Sequence, residues 1–174
     1  MAEVEMNKDA KLSEHFTLGE MTKTKVKRLS NVPTHAAVLN LKNLCENWLE
    51  LLREEWNKRY GEGDDPIVIN SGFRSEAVNK AVGGVKGSNH LTGCAADIHV
   101  AGIEQLLRYA VILLDVADET KREFDELLVE RSPEGGYWLH FAVRPSTGHS
   151  RASSPTRSLS GAAPNRRKVR IIQT

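Results

Sequence analysis

Two runs rich in strand-forming residues, 124–130 and 137–143, are separated by Arg131-Ser132-Pro133-Glu134-Gly135-Gly136. That turn chemistry commits the later part of the chain to an antiparallel hairpin. A two-stranded hairpin is marginal alone, so its apolar face needs a cover. The cover is written upstream, where Val38, Leu41, Cys45, Trp48, Leu52 and Trp56 recur at helical spacing and Leu44 and Leu51 widen the stripe. Asn31-Val32-Pro33-Thr34 marks the entry to this helix, with Thr34 as its N-cap. Gly61-Glu62-Gly63-Asp64-Asp65-Pro66 ends it near Tyr60.

The other elements fill in around this pair. Residues 16–21 read as one helical turn capped by Thr17, with Glu20 completing a capping box. A short buried strand is expected at 67–69, a small helix at 76–82, a strand at 95–100 and a helix at 103–116. Ser71-Gly72-Phe73-Arg74-Ser75 forms the turn into the small helix, and residues 83–87 form a flexible loop. This order gives an α+β fold, a single domain with a small antiparallel sheet backed by helices. With 40% hydrophobic and 27% charged residues among 174, one buried core is attainable and wholesale disorder is excluded.

The expected organisation is a flexible N-terminus over 1–15, the folded domain over 16–144, and a basic, disordered tail over 145–174. After Pro145 the composition turns to Ser, Arg, Pro, Gly and Ala, and only Val169-Arg170-Ile171-Ile172 keeps an apolar pattern. From residue 144 onward the chain carries Arg144, Arg151, Arg157, Arg166, Arg167, Lys168 and Arg170 with no acid, so the remainder is acidic although the overall net charge is +1. The basic run at 166–170 suits an anionic polymer, but the acidic body argues against nucleic acid as a specific partner. Cys45 and Cys94 are too few for a disulfide framework. The charged N-terminus lacks a signal-peptide core, and the longest apolar stretch, 109–114, is far short of a membrane span. A soluble monomer, cytoplasmic at synthesis, is therefore expected.

The chemistry-bearing stretch is Ser88-Asn89-His90-Leu91-Thr92-Gly93-Cys94-Ala95-Ala96-Asp97, with His140 in the later strand. Two imidazoles and one carboxylate leave one position of a tetrahedral zinc ion open, as catalytic sites do. Taken singly, each residue is more simply a loop cap, a backbone hydrogen-bond acceptor or a core histidine.

Ser88, His90, Gly93, Ala95 and Asp97 fit S-x-H-x2-G-x-A-x-D, which resembles the zinc motif of the peptidase M15 family. That family includes zinc D-Ala-D-Ala carboxypeptidases and phage L-alanyl-D-glutamate endopeptidases. Ser71-Gly72-Phe73-Arg74-Ser75 is similar to its upstream S-G-[FY]-R-S element, and Trp138-Leu139-His140 resembles its downstream W-x-H. The likeness runs from about Phe16 to Arg144 and implies a hedgehog/DD-peptidase-like fold. It implies one zinc ion held by His90, Asp97 and His140, and hydrolysis of an amide bond in a peptidoglycan stem peptide. Arg74 would face the scissile carbonyl or a substrate carboxylate. Ser88 would bind substrate or orient His90, or else cap its loop. A lysis enzyme of phage or prophage origin, released through a partner pore, and a cytoplasmic dipeptidase are both compatible. The alternative class is a zinc-stabilised wall-binding or structural module without catalysis.

The general base departs from the commoner pattern, because Tyr137 stands where many relatives place an acid three residues before the second histidine. Glu130 is the favoured substitute, since some members carry a similar F-D-x-L-x-x-E strand before W-x-H. It shares a face with His140 only if paired residue numbers in the hairpin sum to an even value. Glu134 reads as a solvated turn residue, His99 as incidental or supporting, and Cys94, Trp48 and Trp56 as packing residues.

Overall fold

The computed structural model describes residues 6–146 and the backbone of residues 168–173. Residues 1–5 and most of the expected tail, 147–167 and 174, lie outside the described residues. The elements are α1 (Leu18–Thr22), α2 (His35–Leu44), α3 (Glu50–Arg59), β1 (Ile69–Ser71), α4 (Glu76–Ala81), β2 (Ala95–His99), α5 (Ile103–Thr120), β3 (Glu126–Arg131), β4 (Tyr137–Ala142) and β5 (Lys168–Gln173). The sheet order is β1-β2-β4-β3-β5; the first four strands are antiparallel, and β5 runs parallel to β3 at the edge. The α+β expectation holds. β5 covers the one stretch of the tail with an apolar pattern.

Local signals explain the helix starts. Thr17 accepts the Glu20 N–H at 3.3 Å while Glu20 Oε2 accepts the Thr17 N–H at 2.9 Å, the expected capping box. Thr34 caps α2 by accepting the Ala37 N–H. α2 and α3 form one continuous helix through a π-helical turn, Cys45–Leu49. That wider turn lets Cys45, Trp48 and Leu49 all be buried together. The stripe continues through Leu52 to Trp56.

The sheet packs one face onto these helices. Ala96 and Ile98 of β2, Leu139 and Phe141 of β4, and Leu127 of β3 point into the core. Phe141 lies against Trp48 with ring centroids 5.0 Å apart, and Trp56 meets Tyr109 edge-on at 4.9 Å. Trp48 and Trp56 thus pack, as expected.

Several boundaries differ from expectation. The strand expected at 67–69 lies at Ile69–Ser71, because Val68 is 43% exposed between buried Ile67 and Ile69 and ladder pairing begins only at Ile69. A bulge follows, which sets Ser71 opposite Asp97. α5 runs past 116 to Thr120, where Lys121 ends it in the left-handed conformation at φ 57°. Residues 6–15, expected to be flexible, instead dock: Leu12 is buried, and Glu50 accepts from Ser13 Oγ at 2.6 Å and from the His15 N–H at 2.8 Å.

Candidate metal centre

Strand alternation aims the next side chain along each strand away from the core. Asp97 and His140 are directly paired across β2 and β4, so they sit side by side on the face opposite Ile98 and Leu139. His90 arrives from a short 3-10 turn, Asn89–Thr92, just before β2. Gly93 ends this turn at φ 73°, and a Cβ there would come within 2.4 Å of the Ala37 carbonyl oxygen. Glycine is thus required twice over at that position. Gly72 is under a similar constraint, since a Cβ would meet the Met21 carbonyl oxygen at 2.4 Å. This close approach lets the Phe73 N–H reach Met21 O and lets Gly72 O accept from His90 Nδ1 at 2.6 Å.

His90, Asp97 and His140 are all buried, at 2%, 7% and 7% exposure. Each offers a ligand atom within 4.8 Å of the others. Asp97 Oδ1 lies 2.8 Å from His140 Nδ1 and 3.2 Å from His90 Nε2. Burial alone would raise the Asp97 pKa, but the adjacent His140 and His90 rings hold its carboxyl well below the usual carboxylate range. Burial alone would lower the His140 pKa, and the hydrogen bond and charge of Asp97, with Glu130 and Glu126, outweigh it and raise it. The triplet brings two imidazole nitrogens and a carboxylate oxygen together, a donor set that suits zinc and leaves a coordination position for a non-protein ligand. His90 Nδ1 donates to Gly72 O, which leaves Nε2 free of a proton and turned toward Asp97. The residues fit the ion.

Arg74 is tied to the same carboxylate: its NH2 group pairs with Asp97 Oδ2, and its Nε donates to Ser71 Oγ at 2.8 Å. The bulge in β1 is what supplies Ser71 at that place. Arg74, Asp97, His99 and Trp138 share the lining of a cleft of about 410 Å³. Ser88 caps the 3-10 turn by accepting the His90 N–H at 3.3 Å. It therefore orients the loop that carries His90 and is not among the residues lining the cleft.

Glu130 pairs with Trp138 in the hairpin, an even register, so it shares the face of His140. Burial and then the Asp97 charge push its carboxyl above the usual range, opposed by His140, His90 and a hydrogen bond from Trp138. Tyr137 alternates to the other side of β4 and carries Arg131 over its ring at 5.4 Å. In this regular strand, an acid at position 137 would face away from the histidines, whereas one on β3 faces them. Glu134 is an exposed residue of the hairpin loop. His99 is exposed at the cleft, opposite Trp138. Cys94 is a buried free thiol outside the triplet.

The sequence reading missed Glu126 and Asn89. Glu126 Oε2 lies 3.4 Å from His140 Nε2 and accepts from Asn89 Nδ2 at 3.3 Å. The two-residue alternation that selected Glu130 also puts Glu126 on that face, so the signal was there to find. It also passed over Asn31, which clamps the Arg74 loop by donating to Thr22 O and Phe73 O and accepting the Ser75 N–H.

Comparison with known proteins matches residues 14–115 to the family described as Peptidase M15. A stretch of 40 residues is 50% identical to the zinc D-Ala-D-Ala carboxypeptidase of Streptomyces albus G. It covers 23% of this chain and only 16% of that protein's length. Among the described residues, no helix is long and apolar enough to cross a membrane.

Proposed function

The chain belongs to the peptidase M15 family, and from that premise we propose that it is a zinc-dependent metallopeptidase hydrolysing an amide bond in bacterial peptidoglycan peptides. The observation that carries this reading is the convergence of His90, Asp97 and His140 within 4.8 Å beside a cleft. The three residues would hold one zinc ion, through Nε2 of His90, a carboxylate oxygen of Asp97 and Nδ1 of His140. When bound, the ion supplies Lewis acidity toward a peptide carbonyl and a water molecule.

The remaining work falls to the chain's own groups. Glu130, on the same face as His140, takes the proton of the attacking water on its carboxylate and returns it to the leaving amine. Arg74, paired with Asp97 at the edge of the cleft, would offer its guanidinium to a substrate carbonyl or carboxylate. Trp138 holds the Glu130 carboxylate and walls the cleft. Whether the bond is terminal, as in a carboxypeptidase, or internal, as in an endolysin-type endopeptidase, is a question of what the cleft accepts beyond Arg74.

Mass spectrometry of fragments released from defined muropeptides by the zinc-loaded protein tests the reading and fixes the bond. A single cleaved amide is expected, with Glu130→Gln slower by about 10²–10⁴-fold. Zinc bound without product on peptidoglycan or short D-amino-acid peptides would instead indicate a zinc-stabilised wall-binding module.

A further inference from the structure

We propose that Glu126 is a positioning residue of the metal centre, accepting the Nε2 proton of His140 so that Nδ1 is left as that ring's ligand atom. The inference rests on the reading of His90, Asp97 and His140 as a metal site. An imidazole binds a metal only through its unprotonated nitrogen, so each ring needs a partner that fixes the proton on the other one. For His90 that partner is the Gly72 carbonyl, 2.6 Å from Nδ1. For His140, Nδ1 lies in the triplet, 2.8 Å from Asp97, and Nε2 faces away toward Glu126 Oε2 at 3.4 Å.

The strand geometry favours this contact. Glu126 is paired with Ala142, two residues beyond His140 on β4 and on the same face. The small side chain of Ala142 leaves the carboxylate room to lean along β4 to the ring. Asn89 donates to the same oxygen, which ties Glu126 to the turn that carries His90. Two acids of β3 thereby divide their tasks. Glu130 lies opposite Trp138, which lines the cleft, while Glu126 stands behind the His140 ring and reaches the reaction only through it.

The test is zinc affinity by chelator competition on the full chain, together with the absorption spectrum of the Co²⁺ form. Glu126→Ala is expected to weaken zinc binding about 10–100-fold and to shift the Co²⁺ bands. Glu126→Gln keeps an acceptor oxygen without the charge and should recover part of the loss. Glu54→Gln, on the exposed side of α3, should match wild type. A folded Glu126→Ala protein with wild-type affinity and spectrum overturns the proposal. Should that variant fail to fold, Glu126→Gln decides: weaker binding with shifted bands supports the role, and wild-type values overturn it. Failure of the wild-type protein to bind zinc would instead remove the metal-site reading on which the inference stands.

Discussion

The two faces of β2, β4 and β3 are built from alternate residues of the same strands yet answer to opposite forces. Toward the helices lie Ala96, Ile98, Leu127, Leu139 and Phe141, each at most 1% exposed and packed around Trp48. On the opposite face lie Asp97, His140, Glu126 and Glu130, and burial works against the charge of Asp97 and Glu130. The first face stabilises by removing apolar surface from water. The second concentrates groups that are costly to bury, the kind of cluster expected at a functional site. A register slip of one residue would exchange the two faces, so the ladder itself keeps stability and function apart.

The largest effect should come from the core face. Phe141→Ala removes a fully buried ring beside Trp48 and Phe124 and should lower unfolding free energy by about 3–5 kcal/mol, read from urea denaturation. A loss below about 1 kcal/mol would mean that the helices do not depend on this face for their packing. Gly93→Ala attacks the link between the faces. It forces a side chain to φ 73° against the Ala37 carbonyl, and should cost about 1–3 kcal/mol while also weakening metal binding through His90. Thermal melts paired with zinc titration check both parts, and a stable variant with intact affinity would contradict the steric argument.

On the cleft face the sign should reverse. The Glu130 carboxyl is raised in the folded protein, so its ionised form disfavours folding as pH climbs through that raised value. Metal-free Glu130→Gln should therefore melt above wild type at neutral pH, with the gap closing below the usual carboxylate range. A lower midpoint at neutral pH would show the opposite. The smallest effect concerns the docked N-terminal segment. Burial would raise the Glu50 pKa, but Ser13 and His15 hydrogen bonds hold it below the usual range. Its contribution is present above that range and lost as pH falls through the lowered value. Glu50→Gln should melt below wild type at about pH 7, with the gap closing as pH falls through the lowered value; equal midpoints at neutral pH would assign the docking to Leu12 alone.

Much of this was legible beforehand because the signals are local. Thr17 with Glu20 and Thr34 mark helix starts by hydrogen-bond chemistry that needs no distant partner. The stripe from Leu41 to Trp56 shows its buried face by spacing alone. His90, Asp97 and His140 stood out because three motifs occurred in order, not because any of them is unusual by itself. The misses share the opposite character. Residues 6–15 read as loose because their anchor, Glu50, is remote in sequence. Glu126 passed as an ordinary strand acid because its partners, Asn89 and His140, come from two other segments.

Residue type and spacing were enough to decide the helices, the hairpin and the identity of the candidate ligands, since propensity, capping and alternation act over a few neighbours. Three matters waited for long-range packing: the even register that turns Glu130 toward the histidines, the bulge that brings Ser71 and Arg74 to Asp97, and the carboxylate behind His140. Each depends on which strand lies beside which and at what offset, a choice made by the whole core burying its apolar face and not by any single segment.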